Sequence, residues 1–176
     1  PTDSCYALGC HLGDREALDR IRQIRQIDER HHLTLMVRDL SEIAHFARVD
    51  NSQYRLLKAA TPGSYTFILE GTKELPRRLL HPKRKTIGLR IPNHPVALAL
   101  LEELNEPLLT TTLQLPGDEA PLTEGWEIQD RLEDQLELIL DAGHCGIEPT
   151  TIIDLTGAAP ELIRLGRGSL TPFGLD

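Results

Sequence analysis

The sequence predicts an α/β fold with a twisted mixed β-sheet flanked by helices. Two patterns support this prediction: short apolar runs with the alternation of β-strands recur between helical segments, and the last part of the chain contains several strands in succession. Alternating strands and helices favour parallel pairing, whereas a strand-rich tail favours antiparallel pairing. With 176 residues the chain can bury a core, and we expect residues 1–176 to form a single domain.

In the first half of the chain, capping and turn residues delimit the predicted elements. Residues 1–13 predict the end of a strand that runs into a polar loop. Asp14, Ser41 and Asn51 are helix-capping residue types, and they predict helices that end near Arg25, Val49 and Ala60. Residues 33–37 predict a short buried strand, and residues 65–69 predict a strand that follows the turn at 61–63.

In the second half the predicted strands are more frequent. Residues 75–80 predict a short helix and residues 86–91 a strand, and Pro95 predicts the first turn of a helix over 95–104. A strand over 108–113 and an acidic amphipathic helix over 123–132 follow. Residues 136–140, 151–155 and 162–165 predict three further strands.

The predicted strand at 86–91 carries an unusual polar face. Ile87, Leu89 and Ile91 alternate with Thr86, Gly88 and Arg90, so the apolar side chains face the core and the polar ones face away from it. Glycine allows a close approach to the backbone, and an arginine beside it can hold a carboxylate or phosphate. We interpret this face as the floor of an anion site that opens on a cavity. The alternative is an edge strand whose charges prevent aggregation.

Composition and charge narrow the class of protein. The net charge of −8 combines +5 over residues 1–100 with −13 over residues 101–176, and the basic residues cluster at 15–38 and 73–90. This distribution favours a phosphate-bearing ligand over nonspecific nucleic acid, which the acidic half would repel. No apolar run approaches the roughly 18 residues of a membrane helix. Cys5, Cys10 and Cys145 show no zinc or redox spacing, so we expect a cytoplasmic protein and no metal held by the protein.

Polar residues accumulate at the ends of the predicted strands, where ligands of α/β sheets tend to bind. They are Thr2, Tyr6, Thr86, Arg90, Thr110, Thr112, Thr150 and Arg164. We expect their side chains to converge on one edge of the sheet and to line one cavity, together with Arg25. The sequence contains no Walker loop, no G-x-G-x-x-G motif and no convincing catalytic triad.

Five segments resemble, in this order, the YrdC/YciO family, which includes the threonylcarbamoyl-AMP synthases: PTDSCYALGC, TPGSYTFILEGT, KTIGLRIPNHP, TTTLQLPG and PTTIIDLT. The run TPGSYTFILEGTKELPRRLL, followed by KRKTIGLRIP, is most similar to the YciO branch. The resemblance implies a YrdC-like fold that lacks the family's N-terminal helix and strand. Pro1 is therefore expected to lie partway along a central strand.

The resemblance also implies a chemistry and a set of ligands. Synthases of the family are nucleotidyltransferases that make threonylcarbamoyl-AMP from L-threonine, bicarbonate and ATP, on the way to threonylcarbamoyladenosine in tRNA. The threonine carbamate is the nucleophile, so no catalytic side-chain nucleophile is expected, and Mg²⁺ is bound through the phosphates. The resemblance places threonine binding at Thr2, Tyr6, Arg90 and Thr150, and nucleotide binding at Arg25, Thr86, Thr110, Thr112, Gln114 and Arg164.

Two departures from the synthase pattern concern the phosphate side of this site. The synthase K-x-R is Arg25-Gln26-Ile27 here, and S-x-N is Thr112-Leu113-Gln114. A lost charge-assisted contact costs about 1.5–3 kcal/mol of binding free energy. We therefore expect weak or altered synthase activity, or a pocket that takes a different amino acid or nucleotide.

The alternative function is RNA binding, to double-stranded RNA or tRNA, through the basic residues at 22–38 and 77–90. Aromatic residues make up only 4% of the chain, so such binding would depend on shape and phosphate contacts rather than base stacking.

Overall fold

Seven strands build the centre of the molecule in this computed structural model, which describes residues 1–176. They are β1 (Ala7–His11), β2 (Thr34–Met36), β3 (Tyr65–Glu70), β4 (Thr86–Arg90), β5 (Leu108–Thr112), β6 (Thr151–Asp154) and β7 (Glu161–Arg164). They form one sheet in the order β1-β5-β2-β4-β3-β6-β7. The pairs β2/β4 and β3/β6 are parallel and the other neighbours are antiparallel, so the predicted mixed sheet is confirmed.

Five helices accompany the sheet: α1 (Arg15–Arg25), α2 (Leu40–Phe46), α3 (Asn51–Ala60), α4 (Pro95–Leu104) and α5 (Gly125–Leu132). Asp14 caps α1 as predicted, because its carboxylate accepts the N–H of Ala17. The predicted caps of α2 and α3 were wrong by one or two residues, since Asp39 and Asp50 perform this role. None of the helices has the length and apolar character needed to cross a membrane.

The main core lies on one face of the sheet. Residues in register across six strands form a continuous apolar row there: Cys10, Leu109, Leu35, Leu89, Phe67 and Ile153. Each is at most 6% exposed, and apolar residues of α1, α2, α3 and α5 are buried in the same cluster. Ile87 and Ile91 are also buried, as the alternation of the 86–91 strand predicted.

The opposite face of the sheet is covered by a helix only at one corner. There Ala97 and Leu101 of α4 pack against Met36 and Leu108. Most other positions on this face are threonine, glycine or charged residues, so no second apolar layer forms there. We call this part, on which no helix packs, the polar face.

The N-terminal residues differ from the prediction. Residues 1–6 form a turn and β1 begins only at Ala7, at the edge of the sheet, so the expected order of strand and loop was wrong. Pro1 lies in this turn and not partway along a central strand, so that expectation was wrong as well. The Thr2 hydroxyl accepts the N–H groups of Ser4 and Cys5, which stabilises the turn instead.

The predicted strand at 136–140 is also wrong. Its residues have the composition of a strand, but no neighbouring strand accepts their backbone hydrogen bonds. They line an apolar groove of about 370 Å³ beside β1 and α1, and Leu138 is 69% exposed. The predicted helix at 75–80 is only a 3-10 turn at Arg77–Leu79.

Burial of the cysteine thiols predicts a loss of stability at alkaline pH. Burial, with Asp14 nearby, raises the pKa of Cys10 from 9.0 to about 11, so the folded state favours the protonated thiol. This contribution to stability is present below pH 9 and is lost as the pH rises through about 11. We expect Cys10→Ala to lose less unfolding free energy than wild type between these pH values, measured by urea unfolding. Equal losses in both proteins would contradict this assignment.

Candidate functional site

The polar face brings together the strand residues predicted for the site. Alternation places Thr34 and Thr66 on this face together with a larger group of predicted residues, Thr86, Gly88, Arg90, Thr110 and Thr112. A Cβ added to Gly88 would lie 2.9 Å from Cγ2 of Thr66 and 3.7 Å from Oγ1 of Thr34. The predicted residues therefore share one face of the sheet.

They do not share one end of it, and that part of the prediction is wrong. Thr86 begins β4 and Arg90 ends it, so the two residues lie about 13 Å apart along the strand. Thr112 lies at the Thr86 end, because β5 runs antiparallel to β2 while β2 runs parallel to β4. The candidate site thus has a Thr86 end and an Arg90 end.

At the Arg90 end, the guanidinium is held by the protein itself. Arg90 forms a buried ion pair with Asp3, and it donates to the Ser4 hydroxyl at 3.2 Å and to the Gly63 carbonyl at 3.3 Å. The two charged side chains are only 6% and 11% exposed. Burial lowers the pKa of Arg90, and the carboxylate of Asp3 counteracts this. Arg90 therefore does not face an open cavity as predicted, although its Nε has no partner.

Thr150 and Arg164 meet at the same end of the polar face. Arg164 donates to the Thr150 carbonyl at 3.0 and 2.8 Å and to its hydroxyl at 3.0 Å. The Thr150 hydroxyl also lies 2.8 Å from the hydroxyl of Thr66, which precedes Phe67, the residue paired with Leu89 of β4. Thr66 was missed in the sequence, where the only signal was its place between the buried Tyr65 and Phe67.

Near the Thr86 end, Arg25 ties α1 to β5 from the core side of the sheet, because α1 packs there and the Thr111 side chain alternates with Thr110 and Thr112 of the polar face. Its Nη1 donates to the Thr111 hydroxyl at 2.7 Å and to the Thr112 carbonyl at 2.5 Å, and burial lowers its pKa. The side chain of Gln114 donates to the Asp118 carbonyl at 2.9 Å. Ile27 is half-buried against the core, so it offers no polar group here.

Thr2 lies at the Arg90 end, where its hydroxyl is 3.1 Å from the Ser4 hydroxyl that Arg90 contacts, whereas Tyr6 lies away from both clusters. The Thr2 hydroxyl serves the N-terminal turn and donates to the Cys5 carbonyl at 2.6 Å. The Tyr6 hydroxyl donates to the Gly143 carbonyl at 2.7 Å, and burial raises its pKa. Tyr6 borders the apolar groove, so these contacts assign it to the support of the loop that contains Gly143.

A second concavity of about 400 Å³, which we call the polar cavity, lies next to the Arg90 end. Its lining includes Asp3, Ser64, Asn93, His94, His144 and Arg167. Of the residues predicted for the site, only Thr2 lines it. The other lining residues of the polar cavity were not predicted, because they lie in loops without strand or helix periodicity.

Much of the basic charge considered for RNA is paired within the protein. In the first cluster, Arg22, Arg30 and Arg38 each form an ion pair with a carboxylate. Lys83, Arg84 and Lys85 have no such partner and are exposed. No three His, Cys, Asp or Glu side chains lie close enough together to share a metal ion.

The sequence and the fold both match known proteins. A sequence model of the family Sua5_yciO_yrdC, described as telomere recombination, matches residues 1–166. The chain belongs to this family. The matched residues include every site residue predicted for this chain. The predicted resemblance to the family is confirmed.

Relatives of two kinds lie within the family. The uncharacterized protein YciO of Escherichia coli is 56% identical over 173 residues, which cover 98% of this chain and 84% of YciO. Its crystal structure matches with a TM-score of 0.91 at 55% identity, over the same shares of the two chains. The threonylcarbamoyl-AMP synthase of Pyrococcus abyssi is 27% identical over 94% of this chain, but this chain spans only 49% of the synthase.

A solved structure connects the fold with a ligand. The crystal structure of Pyrococcus abyssi Sua5 complexed with L-threonine matches with a TM-score of 0.84 and 26% identity. It covers 94% of this chain and 49% of the Sua5 chain. The family fold therefore includes a member that binds L-threonine.

Proposed function

We propose that this protein binds ATP and L-threonine and is a nucleotidyltransferase of the threonylcarbamoyl-AMP synthase type, acting in the biosynthesis of threonylcarbamoyladenosine in tRNA. The observation that supports this proposal most directly is the polar face itself. Hydroxyl and guanidinium groups from several strands share one face of the sheet, in a fold whose relatives include a threonine-bound structure. Such an arrangement can position two polar substrates without supplying a covalent nucleophile.

The two ends of the polar face suit different parts of these substrates. We assign the nucleotide to Arg25, Thr86, Thr110, Thr112 and Gln114, with Arg164 reaching it from the Thr150 side. Magnesium ions carried on the phosphates would neutralise part of their charge. Arg25 is the one cation of the Thr86 end that already contacts β5, where it donates to the Thr112 carbonyl.

The amino acid is assigned to the Arg90 end, near Thr150 and the turn that contains Thr2. Because Arg90 is occupied by Asp3, we assign it a positioning role, in which it fixes the turn beside the substrate. The amine nitrogen of L-threonine bonds to the carbon of bicarbonate, a C–O bond of bicarbonate breaks and water leaves, which gives the carbamate. A carbamate oxygen then bonds to the α-phosphorus of ATP, the bond to the β-phosphate oxygen breaks, and pyrophosphate leaves with that electron pair.

Calorimetry and an activity assay test this proposal together. We expect ATP to bind with magnesium present, L-threonine to bind more tightly after ATP, and D-threonine to show no such gain. Pyrophosphate should be released only when ATP, L-threonine and bicarbonate are all present. Absence of binding by both ATP and L-threonine would contradict the assignment of this pocket to the synthase substrates.

The two departures at the phosphate side give a gain-of-function prediction. We expect the double variant Ile27→Arg with Gln114→Asn to bind ATP more tightly or to release more pyrophosphate, because it restores a cation and moves the side-chain amide back by one methylene. Its L-threonine affinity should stay within about threefold of wild type, because changes away from a site are worth only about 0.5 kcal/mol. Titration of both proteins with each ligand measures this.

A stability control accompanies that experiment, since Ile27 packs against the core and Gln114 holds the Asp118 carbonyl. The melting temperature shows whether the double variant is folded. A folded variant whose ATP affinity and pyrophosphate release are both unchanged would show that these positions lie away from the phosphates.

A further inference from the structure

The polar cavity has the size and lining of a small-molecule site, but the residues assigned to ATP and threonine hardly contribute to it. Its volume of about 400 Å³ lies in the range of known ligand pockets, and only one of its ten lining residues is hydrophobic. A cavity so polar favours a charged or strongly hydrogen-bonding ligand. The charged groups on the cavity wall indicate whether that ligand is an anion or a cation.

The carboxylate on the wall has little capacity left for a cationic ligand. One oxygen of Asp3 pairs with the buried Arg90, and the other accepts the backbone N–H of Asn93 at 2.9 Å. The nearby carboxylate of Glu124 is engaged by Nδ1 of His144 at 2.7 Å. The acidic groups around the cavity are thus balanced by partners of the protein itself.

Two side-chain donors of the cavity, Nε2 of His94 and the guanidinium of Arg167, have no partner in the protein. Nδ1 of His94 accepts the N–H of Val96 at 3.1 Å, so the proton of the neutral ring lies on Nε2, which becomes a donor. His94 also caps α4, whose N-terminal end carries a partial positive charge. Burial lowers the pKa of His94, which favours this neutral, Nε2-protonated ring at neutral pH.

Arg167 supplies the full positive charge. Its backbone N–H donates to the Pro149 carbonyl at 2.9 Å, which fixes the residue at the cavity wall, while its guanidinium forms no ion pair. A guanidinium can bind a carboxylate or a phosphate with two parallel hydrogen bonds. The cavity thus combines an unpaired cation, an imidazole donor and a helix N-terminus.

We propose that the polar cavity binds a small oxyanion, a carboxylate or a phosphate, through the guanidinium of Arg167 and Nε2–H of His94. This proposal goes beyond the synthase function, because it requires neither ATP nor threonine. The group bound is either the carboxylate of a small organic acid or free phosphate.

Titration of the unmodified protein with sodium acetate and, separately, with inorganic phosphate tests the proposal. Three variants accompany it: Arg167→Gln removes the charge, His94→Asn removes the imidazole and keeps a good helix cap, and Arg55→Gln is the control. Arg55 is exposed on α3 and forms no ion pair, but it does not line the cavity. We expect Arg167→Gln to weaken anion binding about tenfold, His94→Asn about threefold, and Arg55→Gln not at all.

Each outcome bears on the proposal. Binding of phosphate alone, of acetate alone or of both identifies the group that the cavity accepts, provided that Arg167→Gln weakens it. Absence of binding by both anions, or equal affinity in Arg167→Gln and Arg55→Gln, would overturn the proposal. Since no nucleotide or threonine is present, these results stand apart from success or failure of the synthase assay.

Discussion

Arg90→Met is expected to lower the unfolding free energy by about 3–5 kcal/mol, the usual cost of removing one partner of a buried ion pair. The methionine side chain fills most of the space of the arginine but leaves the carboxylate of Asp3 buried without its cation. Asp3 is only 11% exposed, and a buried carboxylate without a cation is strongly unfavourable. Urea unfolding of wild type and variant measures the effect.

Two controls distinguish the effect of breaking the buried pair of Arg90 and Asp3 from the effect of removing an arginine in general. Arg131→Met removes the partner of Asp118 from a surface pair whose side chains are 43% and 28% exposed, and should cost no more than about 1 kcal/mol. The double variant Arg90→Met with Asp3→Asn leaves no buried charge, so it should be more stable than the sum of the two single changes predicts. A loss below about 1 kcal/mol for Arg90→Met would show that the pair is hydrated.

How far the sequence predicted the fold depended on where the hydrogen bonds of each element lie. The alternation of 86–91 correctly placed Ile87 and Leu89 in the core and Arg90 on the other face, because side-chain direction in a strand is a local property. Residues 136–140 have a similar apolar character, but a strand also needs a partner, and pairing cannot be read from one segment. Helix starts were ambiguous where two capping residues lie close together, as Asp50 and Asn51 do.

The site was predictable only in part, because side-chain direction in a strand is a local property and strand pairing is not. Local alternation gave the face on which Thr86 and Arg90 lie, but the end of the sheet at which each lies depends on strand direction. The pairing of Arg90 with Asp3, 87 residues away, had no signal in either segment. A guanidinium that the sequence offered to a ligand is therefore used to hold the N-terminal turn.

Gly166→Ala is expected to lower the unfolding free energy by about 3 kcal/mol, at the upper end of the cost of overpacking. A Cβ at this position would lie 2.2 Å from the Pro149 carbonyl oxygen and 2.6 Å from the carbonyl carbon of Thr150. Both are backbone atoms, so the strain cannot be relieved by a side-chain rotation. The N–H of Gly166 also donates to the Thr151 hydroxyl at 3.0 Å, so a shift would break a partly buried hydrogen bond.

Gly157→Ala is the matched control, because the nearest atom to its new Cβ is the Ala159 carbonyl oxygen at 3.7 Å. Its stability should remain within about 0.5 kcal/mol of wild type, and equal stability of the two variants would contradict the clash at Gly166.

The same pair of variants also tests the proposed site of L-threonine. A shift at Gly166 displaces the Thr150 carbonyl that Arg164 binds, so L-threonine affinity should fall in folded Gly166→Ala and not in Gly157→Ala. An unchanged affinity in the destabilised variant would place the amino acid away from Thr150.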